Sequence, residues 1–247
     1  MSHPAVSRLT LILATLLPSS VGAVAGQEPA RSPNVSKGVV FVLDGSGRLR
    51  AMAQDVGTAV AEAGLALEVR DFNWSHGSGR ILLDLRGRAN HAAKGEQLAA
   101  AIQGQRSASP GTKVFVVAHS AGAVVALTAA ERLPAGAVDR IILLAPAVSP
   151  GYDVRQALKA SRHGVDVFYS PTDMLSRGLA LTGTADGSNV GSAGANGFAD
   201  SGGAAPSRLR QYSYTRDMGR TGHLGGHYGW TKIGFLRDYV TPMLAAD

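Results

Sequence analysis

Residues 113–133, KVFVVAHSAGAVVALTAAERL, constrain the fold more than any other stretch of this chain. Residues 114–118 are apolar without alternation, as in a parallel strand covered on both faces, and an alanine-rich run of helical composition follows. Only Ala118-His119-Ser120-Ala121-Gly122 joins the two. A chain that turns from strand to helix in so few residues needs small side chains around the bend, and it leaves the central residue, Ser120, pointing outward. The amide of Ala121 then falls at a helix N-terminus, where free N–H groups and the positive end of the dipole suit a developing oxyanion. The competing reading is a serine that only caps the helix.

The same unit recurs along the chain. Residues 38–43 are a continuous apolar run ended by Asp44-Gly45-Ser46-Gly47, a buried strand followed by a tight turn. A helix is expected over about 49–64, with Met52, Val56, Val60 and Ala63 on one face. A strand follows at 65–72, then a polar loop at 73–80 and a helix at 89–103 whose apolar contacts are Ala92, Leu98, Ala99 and Ile102. Beyond the bend come strands at 138–144, 165–169 and 209–214, a helical stretch at 154–160 and a closing helix at about 230–244. Residues 183–203 are glycine-rich and read as a flexible excursion. Alternation of this kind predicts a three-layer α/β/α sandwich with a mostly parallel sheet of about six strands.

A chain of 247 residues suits one such domain. The formal charge of +6 is spread without a block of like charges, which argues against a nucleic-acid partner. Cysteine is absent, which removes thiol nucleophiles, thiolate metal sites and disulfides together. The N-terminus has a basic residue at Arg8, an apolar run at 9–17 and the small-x-small pattern Ala23-Val24-Ala25. This reads as a secretory signal peptide over 1–25, followed by a linker at 26–36 and the folded domain at 37–247, and so predicts a secreted or periplasmic protein. The apolar run is too short for the roughly 20 residues of a membrane span, so no integral span is expected after cleavage.

Acyl transfer by serine needs a base for the hydroxyl proton, an acid to orient that base, and donors aimed at the oxyanion. After Ser120, the chain offers Asp173 behind the strand at 165–169, and then His223 and His227 in a glycine-bearing loop behind the last strand. Asp153, Asp186 and Asp200 are rival acids, and Asp173 could equally be a helix cap; Asp166 lies too early in its strand to reach a base. His227 is preferred to His223 because it lies just before the closing helix. His119 is expected to pack under the bend. Gly45 and Ser46 are candidates for a second oxyanion amide, and Trp74, His76 and Tyr228 for a pocket wall. The 44–47 turn has no phosphate-loop lysine and lacks dinucleotide-loop spacing. No carboxylate or third histidine stands at metal-ligand spacing in the histidine loop, so no metal site is expected.

The pentapeptide Ala118-His119-Ser120-Ala121-Gly122 resembles the AHSxG form of the nucleophile elbow in α/β-hydrolase lipases and esterases, and the order Ser120, Asp173, His227 is similar to that superfamily's Ser, acid, His. Alanine replaces the first glycine of the motif, and Asp44-Gly45 stands where many esterases have His-Gly. The resemblance implies a cofactor-free serine hydrolase working through an acyl-enzyme on a small-molecule or lipid ester. It leaves open lipid, thioester or peptide cleavage on the same three residues, and a non-catalytic binding protein on the same fold.

Overall fold

The computed structural model describes residues 36–199 and 208–245. The leader, most of the linker and Asp200 lie outside the described residues. Six strands, β1 (Gly38–Leu43), β2 (Leu67–Asp71), β3 (Lys113–His119), β4 (Arg140–Leu144), β5 (Val165–Tyr169) and β6 (Leu209–Ser213), form one sheet in the order β2-β1-β3-β4-β5-β6. Every neighbouring pair is parallel. The register pairs Val40 with Phe115 and Ala118 with Leu143, so the central strands present matching faces.

Helices cover both faces because side chains alternate along each strand. Val39, Phe41 and Leu43 of β1 pack into one core with α3 (Arg88–Ala108), α4 (Gly122–Ala130) and α5 (Arg155–Ala160). Val40 and Val42 point the other way, into a core with α1 (Met52–Glu62) and the closing segment around Trp230, Phe235 and Leu236. The sheet and its two layers make the α/β/α sandwich, and the strand ends at Leu43, His119, Tyr169 and Ser213 all lie on one edge. In an open parallel sheet, that edge is where ligands bind.

Several boundaries differ from those read in the sequence. α1 begins at Met52 because residues 46–48 are taken up in a tight 3-10 turn, and Ala59, not Ala63, is buried with Met52, Val56 and Val60. In α3 the buried face carries His91 and Gly95 with Leu98, Ala99 and Ile102, while Ala92 is exposed. A short helix unforeseen in the sequence, α2 (Ile81–Arg86), precedes it. The closing helix is interrupted: α8 (Ile233–Phe235) and α9 (Thr241–Ala245) are joined by a π turn at Leu236–Val240. Pro242 has no N–H to give the preceding turn, and the backbone widens just before it.

The glycine-rich excursion is packed over its described part, 183–199. It follows α6 (Met174–Thr182) and contains α7 (Ala193–Asn196). Its amides at Ala185, Ala193 and Gly194 donate to the carbonyls of Ala147, Val148 and Pro146, and Ser170 N donates to Gly194 O. The excursion thereby ties the loop after β4 to the end of β5. Its glycines allow close backbone approach: a Cβ on Gly194 would stand 2.7 Å from the Ala145 carbonyl carbon.

Candidate active site

The bend after β3 is a strained one. Ser120 has φ +53°, left-handed backbone that a serine adopts only where surrounding contacts hold it. Those contacts are Ser120 N to Leu144 O at 2.9 Å, and Ala123 N and Ala147 N onto Ser120 O. Gly122 is required by close approach, since a Cβ there would lie 2.7 Å from Asp44 O and 2.9 Å from Leu43 O. The alanine at 118 is fully buried in the sheet and fits.

Ser120, His227 and Asp173 converge from three strand ends. His227 Nε2 lies 2.9 Å from Ser120 Oγ, and His227 Nδ1 lies 2.7 Å from Asp173 Oδ2. The other oxygen, Asp173 Oδ1, accepts the amides of Leu175 and Ser176 and caps α6. The carboxylate therefore does both jobs. Burial pushes the Asp173 carboxyl up, but the hydrogen bond and charge of His227 with the bonds from Ser176 outweigh it and hold it below the ordinary carboxylate value. Ser176 Oγ, which no sequence signal singled out, donates to Asp173 Oδ2 at 2.6 Å and stands 3.3 Å from His227 Nδ1.

The remaining histidines play other parts. His223 is fully buried against Trp230, with ring centroids 4.0 Å apart, and accepts the Gly225 amide on Nδ1; it is not brought to Ser120. Burial pushes it down to about 4. His119 packs under the bend, as expected, and its Nε2 donates to His227 O at 3.1 Å, so it fixes the backbone of the residue that faces the serine. Burial, with the neighbouring His227, pushes His119 down to about 3, and it stays a neutral prop. Of the rival acids, Asp153 is exposed and bound to Arg155, while Asp186 accepts from Ser149 N and Thr184 Oγ1. Asp166 is buried between Arg140 and Arg210.

The turn after β1 approaches the serine closely. A Cβ on Gly45 would meet Ser120 Cβ at 3.2 Å and His119 Nδ1 at 3.0 Å. The Gly45 amide, however, is committed to Asp44 Oδ1 at 2.7 Å, which removes it as an oxyanion donor. The amides of Ser46 and Ala121 have no acceptor among the described residues, and both stand at N-terminal ends of helical turns beside Ser120. Burial pushes the Asp44 carboxyl up to about 6 against the pull of the Gly45 and Met52 amides.

Asp84 of α2 holds this turn in place. Its carboxylate, fully buried, accepts from Gly47 N at 2.6 Å, Ser75 Oγ at 2.5 Å, and His76 N and Nδ1 at 2.8 Å each. His76 is thus drawn onto Asp84 and not onto a pocket wall. Trp74 is buried too, its Nε1 donating to Asp44 O at 2.8 Å, so it braces the turn from behind. Tyr228 alone of the three aromatic wall candidates faces the cavity.

That cavity has a volume of about 310 Å³ and opens beside Ser120 and His227. Its walls are apolar: Leu49, Ile81, Leu82 and Leu85 on one side, and Met174, Leu175 and Leu179 of α6 on the other. Neither α2 nor α6 was legible as a wall in the sequence, because each is a short helix with too few turns to show a period. Among the described residues, no group of histidines and carboxylates is arranged to hold a metal ion, and no helix is long and apolar enough to cross a membrane.

Comparison with solved structures finds chains of similar trace. An esterase from Pyrococcus furiosus is 13% identical at a TM-score of 0.48, over 83% of this chain and 84% of that one. A putative hydrolase of the α/β superfamily from Xanthomonas campestris pv. campestris is 15% identical at 0.44, over 83% and 99%. The catalytic core domain of an acetyl xylan esterase from Trichoderma reesei is 14% identical at 0.42, over 80% and 96%. No curated protein matches the chain. The profile of the family described as serine aminopeptidase, S33, matches residues 34–178, more than half of the sequence and the whole of the region from β1 through the bend to Asp173. With the all-parallel sheet and the strained serine at its centre, that match places the chain in the S33 family of α/β hydrolases.

Proposed function

We propose that this hydrolase cleaves carboxylic esters through an acyl-enzyme, with Ser120 as nucleophile, His227 as base and Asp173 as the acid that orients it. The observation that carries the reading is the unbroken line from Asp173 Oδ2 through His227 to Ser120 Oγ, at 2.7 and 2.9 Å, opening on an apolar cavity. A non-catalytic protein on this fold has no reason to keep that register or the left-handed serine. In the first half-reaction Ser120 Oγ bonds to the acyl carbon while its proton passes to His227 Nε2, and that proton leaves with the alcohol as the ester bond breaks. In the second, water gives its proton to His227 and its oxygen to the acyl carbon; the acid departs and Ser120 recovers its proton. The amides of Ala121 and Ser46 stabilise the oxyanion, each worth on the order of 10²–10³ in rate in such sites.

Esters are favoured over peptides by the cavity's chemistry. Cleavage from a free N-terminus calls for a carboxylate to hold the substrate ammonium, and the sole acidic lining residue among those described, Asp44, is 5% exposed, with Oδ1 taken by the Gly45 amide. Turnover of p-nitrophenyl butyrate against an amino-acyl p-nitroanilide tests this. The expected result is ester turnover at least 10³-fold faster; comparable rates on the anilide would return the reaction to peptides.

The reading extends to export, supported by the n-region, apolar run and Ala23-Val24-Ala25 of the leader. N-terminal sequencing of the protein recovered outside the cytoplasm should begin at Gly26. Recovery with Met1 retained would contradict it.

A further inference from the structure

Nine large apolar side chains stand exposed among the described residues, and seven of them lie on the three stretches that wall the cavity. They are Leu49 after the turn, residues 81–83 of α2, and Met174, Leu175 and Leu181 of α6, with Leu181 90% and Met174 72% exposed. Scattered singly such residues would be ordinary, but a contiguous apolar rim marks a contact surface. This rim is continuous with the walls of the cavity, since five of the seven also line it.

Charge says what the rim faces. Arg50, Arg80, Arg86 and Arg177 are exposed on the same three stretches, and none of the four forms an ion pair among the described residues. The acids on these stretches, Asp44, Asp84 and Asp173, are all buried. The surface therefore offers hydrocarbon ringed by guanidinium groups, and the exposed carboxylate that meets the turn, Asp71, is paired with Arg48. A second copy of the chain is a poor occupant, because a two-fold contact would set these arginines against each other and close the cavity. Acyl chains beneath anionic headgroups match both properties at once.

We propose that the rim docks on an anionic lipid surface and that the site draws from it an ester bearing a hydrocarbon chain. The proposal rests on the ester reading above. Bonds to Ser120 need not change for docking; what changes is the concentration of substrate at the cavity mouth.

Flotation with vesicles tests it without turnover. The full chain should float with phosphatidylglycerol vesicles and at least tenfold less with phosphatidylcholine vesicles, and 0.5 M salt should weaken the binding. Leu83→Ser/Leu181→Ser and Arg80→Gln/Arg86→Gln lie outside the cavity wall. Each double variant should lose vesicle binding tenfold or more while its turnover of a soluble acetate ester stays within twofold of the parent. Equal flotation of the variants and the parent, absence of flotation by the parent, or a parental dimer that Leu83→Ser/Leu181→Ser splits would overturn the proposal. A parent that floats and is inert on soluble esters supports docking and counts against the ester reading alone.

Discussion

Asp173 serves the helix with one oxygen and the imidazole with the other. Replacement by asparagine keeps a cap of similar strength, so Asp173→Asn should leave the thermal midpoint nearly unchanged while the rate falls by about 10⁴, since the amide cannot hold the tautomer that His227 needs. Measuring both on one sample checks it; an active variant would detach Asp173 from the chemistry. Asp84 acts at one remove, through the turn that carries the Ser46 amide. Asp84→Asn should lower kcat by about 10², within the range for losing one oxyanion donor, with KM and the pH profile little changed; a change in KM alone would instead make Asp84 part of the substrate contact. The convergence of Ser120, Asp173 and His227 could be read from chain order, because each follows a strand of one parallel sheet. The parts played by Asp84 and Ser176 could not, since each depends on where a short helix sets a single polar side chain. The same cause misplaced His76 and Trp74: a polar loop with aromatics looks like a pocket wall until a buried carboxylate and a backbone carbonyl claim its donors.

Among the elements, the bend between β3 and α4 depends most on local chemistry. Gly122→Ala would drive a Cβ to within 3 Å of two backbone carbonyls, which cannot move without shifting β1 and the turn after it. The expected cost is about 1–3 kcal/mol, as for other overpacked sites, with activity lost more completely than stability. Chemical denaturation and a soluble-ester assay together check this; an active, unshifted variant would show that the bend is looser than it stands here. Strands were legible throughout because continuous apolar runs bounded by turn residues have few other uses. Helix limits were less so. α1 starts late because the tight turn at Ser46–Arg48 consumes its first residues, and the closing helix breaks where Pro242 removes a donor. The excursion read as flexible is ordered over its described part, because its glycines serve close packing against the β4 and β5 loops, a purpose that composition alone does not distinguish from slack.

For the molecule as a whole, buried titratable groups set how stability changes with pH. His119 and His223 are held neutral, their folded values of about 3 and about 4 lying below that of an unfolded histidine, so their contribution is complete above about pH 6.5 and is lost as pH falls through those values. Asp44 runs the other way: raised to about 6, its contribution is complete below about pH 4 and lost as pH rises through 6. Asp44→Asn removes that second trend alone. Its unfolding free energy should exceed the parent's at pH 8 by about 1–3 kcal/mol, and the two should meet near pH 4; a gap independent of pH would mean that Asp44 is ionised at no cost. Above all of this stands the assignment of Ser120 as an activated nucleophile, and covalent labelling tests it most directly. A fluorophosphonate probe followed by peptide mass spectrometry should place one adduct on Ser120, with labelling abolished in Ser120→Ala and reduced by several orders of magnitude in His227→Ala. An adduct on another residue, or undiminished labelling of Ser120→Ala, would contradict the account.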